Sequence, residues 1–164
     1  MKLTDEKQKP SFEGHLRVER VYDNGDVKVE FDEQNLVVNE ASNILRDLMF
    51  GDAQQITKIH FGDMSLIPTN DLKNVASPKL TDTALINKLY EKATSKEKAI
   101  YGGHPAIKYI AVLEKSEFNG DGEQLITEFS LATGTNRIFT RKTRAAIYKD
   151  NESSLRFIWW LVFN

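Results

Sequence analysis

The C-terminal segment constrains the fold more than any other part of this chain. Leu155–Phe163 is an almost unbroken apolar run that contains both tryptophans, Trp159 and Trp160. Successive side chains of a β-strand point to opposite faces, so such a run cannot leave either face in water. We therefore expect this strand to be central in a sheet, sandwiched between layers, or covered by another subunit.

The two tryptophans should lie on opposite faces of that strand. One can fill the core with its same-face neighbours, and the other needs a second cover. A helix of the same chain or a subunit interface would serve equally well, since tryptophan is common as an interface anchor. We take four residues of this strand as interface candidates: Phe157, Trp159, Trp160 and Val162.

Composition narrows the possible function classes. The 164 residues are 40% apolar and 28% charged, which favours one folded domain with a real core. The net charge of -2 gives no general attraction to nucleic acid or to an anionic membrane. The absence of cysteine excludes disulfides, thiolate nucleophiles and cysteine-based zinc sites. No apolar run reaches the roughly 18–20 residues that a membrane-spanning helix needs.

The N-terminal residues differ in character from the rest. Residues 1–13 are polar and charged, without the apolar stretch of a secretion signal. We predict a flexible arm here, or a segment that orders against a partner, followed by a single β-rich domain over residues 14–164.

The first element is predicted to be a β-hairpin. Asn24-Gly25 is typical of a two-residue type I′ turn. That register would pair Tyr22 with Val27, Arg20 with Val29 and Val18 with Phe31. The predicted apolar face holds Leu16, Val18, Tyr22, Val27, Val29 and Phe31, and the solvated charged face holds Arg17, Glu19, Lys28, Glu30 and Asp32.

One helix is predicted over residues 40–50. Asn39 would be its N-cap and Gly51 its C-terminal glycine. One apolar stripe is expected to pack on the sheet: Ala41, Ile44, Leu45, Leu48 and Met49.

The remaining pattern predicts about seven strands without β-α-β alternation. Residues 63–81 are expected to form a long loop, residues 83–92 fit a short helix or a strand, and residues 95–98 and 101–105 look like exposed connections. The fold class is therefore mainly β: an antiparallel β-sandwich with one amphipathic helix packed at an edge. Further strands are predicted over 55–62, 107–113, 124–131, 137–148 and 155–163.

Polar residues that could carry chemistry do not form a recognisable motif. His15, His60 and His104 are widely separated, and the Asp23/Asp26 and Asn119/Asp121/Glu123 groups fit turns better than calcium loops. Paired carboxylates occur only in charged, exposed settings. We therefore expect no catalytic residue, no metal site and no cofactor.

Four cations form a basic cluster on one predicted hairpin: Arg137, Arg141, Lys142 and Arg144. Without interleaved stacking aromatics, nucleic-acid binding is not favoured. A solvated strand face is the favoured interpretation, and we keep the three arginines as interface candidates for an acidic partner surface.

The order of several segments resembles that of tailed-bacteriophage virion proteins associated with tails, baseplates or fibres. The similarity covers roughly residues 30–164, and it rests on Asn35–Asn39, Ile56–Asp63, Thr81–Leu85, Leu125–Leu131, Arg137–Arg141 and the closing Trp159–Phe163. The resemblance implies a structural protein located in the virion. It would assemble with other virion proteins and copies of itself, as a homo-oligomer, without nucleic acid or membrane.

Three other functions stay open at this point. A capsid-surface decoration protein would bind the head lattice. A host-surface carbohydrate-binding module would use exposed aromatics such as Tyr90, Tyr101 and Tyr109. A cell-wall hydrolase would need a carboxylate whose mutation abolishes turnover, and no suitable pair supports it.

Overall fold

The computed structural model describes residues 11–64 and 75–164, and in them one short helix accompanies an antiparallel sheet. In chain order the elements are β1 (Phe12–Val21), β2 (Val27–Val37), α1 (Glu40–Phe50), β3 (Ile56–Gly62), β4 (Lys88–Ala93), β5 (Ser95–Tyr101), β6 (His104–Leu113), β7 (Glu123–Thr133), β8 (Thr140–Asp150) and β9 (Ser154–Phe163).

The nine described strands form one sheet in the order β4-β3-β7-β8-β2-β1-β9-β6-β5. The two outermost strands, β4 and β5, are separated in the chain by Thr94 alone. One bent segment therefore pairs with β3 at its start and with β6 at its end. This continuity forces the sheet to curl, so that its two halves face each other.

The core lies inside the curl, where aromatic rings from the two halves meet. The Phe61 ring of β3 lies 4.7 Å from the Phe157 ring of β9, centroid to centroid. Phe129 of β7 lies 5.9 Å from Phe157 and 5.8 Å from Phe31 of β2. These are ordinary distances for tilted or edge-to-face aromatic pairs in a packed interior. The mainly β fold is thus confirmed as a curled nine-stranded sheet.

The C-terminal strand is central in the sheet, which is one of the three arrangements that its sequence allows. β9 pairs with β1 along one side and with β6 along the other. Its inward residues are all buried, and its outward residues include half-buried Arg156, Ile158 and Trp160. The inward set is Leu155, Phe157, Trp159 and Leu161.

The first hairpin has a longer turn than predicted. Gly25 has a φ of 85°, and its amide donates to the Tyr22 carbonyl oxygen at 3.0 Å. These features are typical of a three-residue loop whose last residue is left-handed. Val21 therefore faces Val27, and the predicted Tyr22–Val27 pair is wrong.

This shift changes which hairpin residues are buried. Arg20 faces Lys28 rather than Val29, and a bulge after Val18 restores the predicted Val18–Phe31 pair. Leu16, Val18 and Phe31 are buried as expected. Two predictions fail: Tyr22, Val27 and Val29 are exposed, and Glu19 is buried. Arg20, which was assigned to neither face, is buried as well.

Helix α1 has the predicted bounds but not every predicted contact. Gly51 ends it with a φ of 106°, whereas the Asn39 side chain makes no capping hydrogen bond. Ala41 and Ile44 are buried in the core. Met49 is 90% exposed, so its place on the packed stripe is wrong.

The largest correction concerns the sheet edges. Residues 95–98 belong to strand β5, and the Gly102-Gly103 turn, with φ values of 57° and 87°, joins it directly to β6. Residues 83–92 were expected to form a short helix or a strand. Their first residues form a bend and the rest belong to strand β4, so the strand is the correct alternative for the second half. The sheet includes Phe12 and Glu13, residues expected in the arm. Residues 1–10 and most of the predicted 63–81 loop lie outside the described part.

Candidate interaction surface

The outer face of β1, β9 and β5 carries three aromatic rings in contact. Trp160 on β9 is half-buried, and its ring centroid lies 5.2 Å from that of Tyr101 and 6.3 Å from that of His15. Tyr101 and His15 are 5.0 Å apart. We call His15, Tyr101 and Trp160 the outer aromatic cluster. It joins three strands that are far apart in sequence.

Charged groups surround this cluster. His15 Nε2 lies 2.5 Å from Asp32 Oδ1, a hydrogen bond, and Arg17 Nη1 donates to Asp32 Oδ2 at 3.3 Å. Lys108, the neighbour of Trp160 on β6, forms an ion pair with Glu97 on β5. Burial, and then the negative charge of Asp32, raise the pKa of Tyr101. The surface is therefore an aromatic centre with a polar rim, a composition common at interaction sites.

The other apolar interface candidates are not at the surface. Phe157 and Trp159 are fully buried in the core, and Val162, although on the outer side of β9, is 3% exposed. A neighbouring molecule would meet none of these three side chains without local unfolding. Among the four β9 candidates, Trp160 alone offers surface.

The three arginines are used within the chain rather than displayed together. Arg137 donates to Glu40 Oε1 at 2.6 Å and to Asp47 Oδ2 at 2.7 Å, which fixes the turn before β8 to both ends of helix α1. Arg144 lies over the Phe31 ring at 4.1 Å and pairs with Glu33 at 3.2 Å. The favoured interpretation of a solvated strand face is wrong, because the three side chains are only 5% to 26% exposed and each has an intramolecular partner.

Arg141 belongs to a buried network that sequence reasoning missed. Its Nη2 donates to Glu128 Oε2 at 2.8 Å and its Nη1 to Asp82 Oδ2 at 2.5 Å. Glu128 is fully buried and also accepts the amides of Ile86 and Asn87 at 2.9 and 2.7 Å. The network attaches the segment before β4 to β7 and β8. Nothing in the local sequence indicates that these residues meet.

The most exposed large apolar side chains among the described residues lie at two other places. Met49 and Phe50, at the end of helix α1, are 90% and 85% exposed, and Ile100, beside the β5–β6 turn, is 70% exposed. Single exposed apolar residues are ordinary, but two adjacent ones of this size are typical of a contact site.

The tyrosines expected for glycan binding are divided between different environments. Tyr90 stacks on Phe118 at 5.0 Å and 13°, and Tyr109 is 4% exposed. Burial raises the pKa of Tyr109 to about 12. Only Tyr101 of the three lies in the outer aromatic cluster.

The histidines and carboxylates do not gather into a metal site. No group of three potential ligands that could hold a metal ion occurs in residues 11–64 and 75–164. Asp23 pairs with Lys115, and Asn119 accepts from the fully buried Lys149 at 2.7 Å. Asp23 and Asn119, one from each group that was expected to form a turn, are thus engaged in contacts within the chain.

Residue types used in hydrolysis do meet once, across strands β4, β3 and β7. His60 is opposite Glu91 on one side and Ser130 on the other. His60 Nε2 is 3.7 Å from Glu91 Oε2, and the Ser130 hydroxyl has no hydrogen-bond partner among the described residues. Burial, and then the charge of Lys88, lower the pKa of His60 to about 4. This row lacks the nucleophile–base hydrogen bond that a catalytic triad requires.

Comparison with known proteins found no family model, no curated protein and no solved structure that matches this chain. In the part of the chain that the structure describes, no helix is long and apolar enough to cross a membrane.

Proposed function

We propose that this protein is a non-enzymatic structural subunit of a bacteriophage virion, most naturally in the tail, baseplate or fibre-attachment region. It acts by symmetric assembly with copies of itself and with other virion proteins. In this proposal the two halves of the curled sheet are the layers of an antiparallel β-sandwich, and helix α1 packs at an edge.

The observation that carries the proposal is the exposed pair Met49 and Phe50. Side chains of 90% and 85% exposure lose contact with water only in a complex. The Gly51 turn and the Arg137 ion pairs hold the end of the helix in place, so the pair is presented without a large ordering cost. The ordered set of motifs that resembles phage tail-associated proteins supports the same class.

The outer aromatic cluster is the proposed second contact in the assembly. Trp160 supplies the apolar centre, while Asp32, Arg17 and the Lys108–Glu97 pair supply a charged rim. Central aromatics with a polar rim give affinity and orientation together.

Sedimentation velocity over a range of concentrations tests the assembly step. The intact chain should show concentration-dependent oligomers. Replacing Met49 and Phe50 by serine should leave a monomer with an unchanged circular dichroism spectrum, because both side chains lie outside the core. The matched control, Val29→Ser, also removes an exposed apolar side chain and should still assemble. A chain that stays monomeric at every concentration and binds no purified virion component would contradict the proposal.

A host-surface carbohydrate-binding module is the second candidate, because Tyr101 and Trp160 meet on an outer sheet face. It predicts saturable glycan binding that Tyr101→Ala removes without loss of fold. Tyr90→Ala, which disturbs a stack away from this face, should leave the binding unchanged. A capsid-surface decoration protein remains an alternative: it would assemble through the same surfaces, but on the head of the virion.

A further inference from the structure

A small apolar cavity lies between helix α1 and the ends of the strands. Its volume is about 160 Å³. Apolar side chains from the helix and the sheet make up most of its wall, among them Leu45, Leu48, Ile56, Phe139, Leu161 and Phe163. We call this space the helix cavity. An engineered apolar cavity of similar size, about 150 Å³, holds a benzene molecule, so the volume suits one ring or a short alkyl chain.

One polar group in this wall makes no hydrogen bond to the described part of the chain. Tyr109 is 4% exposed, and its hydroxyl makes no hydrogen bond within residues 11–64 and 75–164. Burial keeps this phenol protonated, with its pKa raised to about 12, so it is available as a donor. The hydroxyl oxygen is not fully buried, so it faces accessible space and can donate a hydrogen bond to an acceptor there.

A cation stands beside Tyr109 at the mouth of the cavity. Lys96 is directly opposite Tyr109 in the β5–β6 register, so the two side chains share the inner face of the sheet. Its ammonium group donates to Gln55 Oε1 at 2.8 Å and has no carboxylate partner among the described residues. Lys98, two residues along the same face, is also without an acidic partner there.

A groove of about 290 Å³ continues from the cavity to the surface. Lys96, Ile107 and Tyr109 line both spaces. Lys98 and Glu97 complete the groove, and the Glu97 carboxylate is already paired with Lys108. The site therefore has an apolar inner part, a hydrogen-bond donor at its boundary and positive charge at its outlet. This gradient fits a molecule that is apolar at one end and anionic at the other.

We propose that the helix cavity binds a small amphiphilic carboxylate. Its ring or short alkyl chain enters the cavity, and its carboxylate accepts hydrogen bonds from the Tyr109 hydroxyl and the Lys96 ammonium group. The proposal is independent of the assembly function, since neither residue belongs to the outer aromatic cluster or to the Met49–Phe50 pair.

Nuclear magnetic resonance titration of the full chain with 3-phenylpropionate tests this site. The probe should shift the amide signals of α1, β5 and β6 in a saturable way, while acetate, which lacks the apolar body, should not. The neutral amide of the same probe should bind roughly tenfold more weakly, because hydrogen bonds to a charged group are stronger.

Two variants remove the proposed contacts singly. Tyr109→Phe and Lys96→Met should each weaken binding of the probe roughly tenfold. Tyr109→Phe should not lower the free energy of unfolding without the probe, because no internal hydrogen bond is lost. Lys28→Met, an exposed lysine on β2, is the control and should bind as the intact chain does.

Three outcomes would overturn the proposal. The first is no saturable shift of the signals. The second is that both variants bind the probe as tightly as the intact chain does, as expected if Lys96 serves only to keep the edge strand from pairing with another chain. The third is that the monomer binds the probe but the self-associated protein does not. This result would indicate that a side chain of a second copy occupies the cavity.

Discussion

The rings of Phe61 and Phe157, 96 residues apart in the chain, lie 4.7 Å from each other and join the two halves of the curled sheet. Phe61 belongs to β3 and Phe157 to β9, and both are fully buried. The sheet continues from one to the other only through β7, β8, β2 and β1. Their contact therefore joins the two halves directly across the core.

Phe157→Ala should lower the free energy of unfolding by about 3–5 kcal/mol, since it leaves a cavity in a packed core. Urea denaturation followed by tryptophan fluorescence measures this change. The matched control is Phe50→Ala, which removes the same side chain from an exposed position and should change stability by less than about 0.5 kcal/mol. Equal effects of the two changes would contradict the described core.

The buried Arg141–Glu128 pair should respond asymmetrically to substitution. Arg141→Met leaves the fully buried Glu128 carboxylate without its cation and should destabilise the fold by about 3–5 kcal/mol. Adding Glu128→Gln should recover part of this loss, because the unpaired charge is then gone. Chemical denaturation of both single variants and the double variant gives the coupling.

The surface pair Arg46–Asp47 provides the control for this cycle. Arg46→Met should cost less than about 1 kcal/mol, because that arginine is largely exposed. Additive effects at Arg141 and Glu128 would show that the two groups do not interact as described.

Stability should depend on pH through His60. Its pKa is about 4 in the folded state against 6.5 for an ordinary histidine, so the unfolded chain takes up a proton more readily. The contribution of His60 to the free energy of unfolding is fully present above pH 6.5 and decreases as the pH drops towards 4. The total decrease is about 3 kcal/mol at most. Lys88 and Lys58 oppose protonation and Glu91 favours it.

Thermal unfolding between pH 7 and pH 4 tests this dependence. His60→Gln should flatten the curve, whereas His104→Gln, at an exposed turn, should leave its slope unchanged. Glu91 affects stability in a separate pH range. Because its pKa is lowered to about 2, the stabilisation from its ionised form is lost only below pH 4.5. An unchanged slope in His60→Gln would contradict the buried neutral imidazole.

Helix α1 should become less protected when the Arg137 ion pairs are removed. Arg137 contacts Glu40 near the start of the helix and Asp47 near its end, through groups that remain partly exposed. Arg137→Met should therefore cost only about 1 kcal/mol globally, yet speed amide exchange along the helix. Arg137→Lys should not restore protection fully, because an ammonium group cannot reproduce the guanidinium fork. Unchanged exchange would indicate that apolar packing alone holds the helix.

The elements that sequence predicted well are those with a strong apolar pattern. The central strand β9, the helix with its terminal Gly51, and strands β3, β6 and β7 all follow from periodicity. Strand β5 was missed because Ser95–Lys98 is a charged edge segment, and edge strands carry charge instead of apolar alternation. The Gly102-Gly103 turn was the available signal for it.

The site residues could be predicted only where a turn sets the pairing of the two strands that it connects. Counting outward from Gly102-Gly103 places Lys96 opposite Tyr109, so the two proposed polar contacts of the helix cavity were accessible to sequence reasoning. The partners of Arg137 and Arg141 were not, because the contact from Arg137 to Glu40 spans 97 positions. Such pairings depend on how the sheet curls, which no local pattern specifies.

Immunogold electron microscopy of intact virions, with antibody raised against the purified chain, tests the central claim most directly. The account predicts gold at the tail tip, the baseplate or along the fibres. Gold over the head would move the protein to the capsid surface and favour the decoration alternative. Absence of label from particles, with the epitope accessible and no protein on a blot of purified virions, would contradict a structural role in the virion.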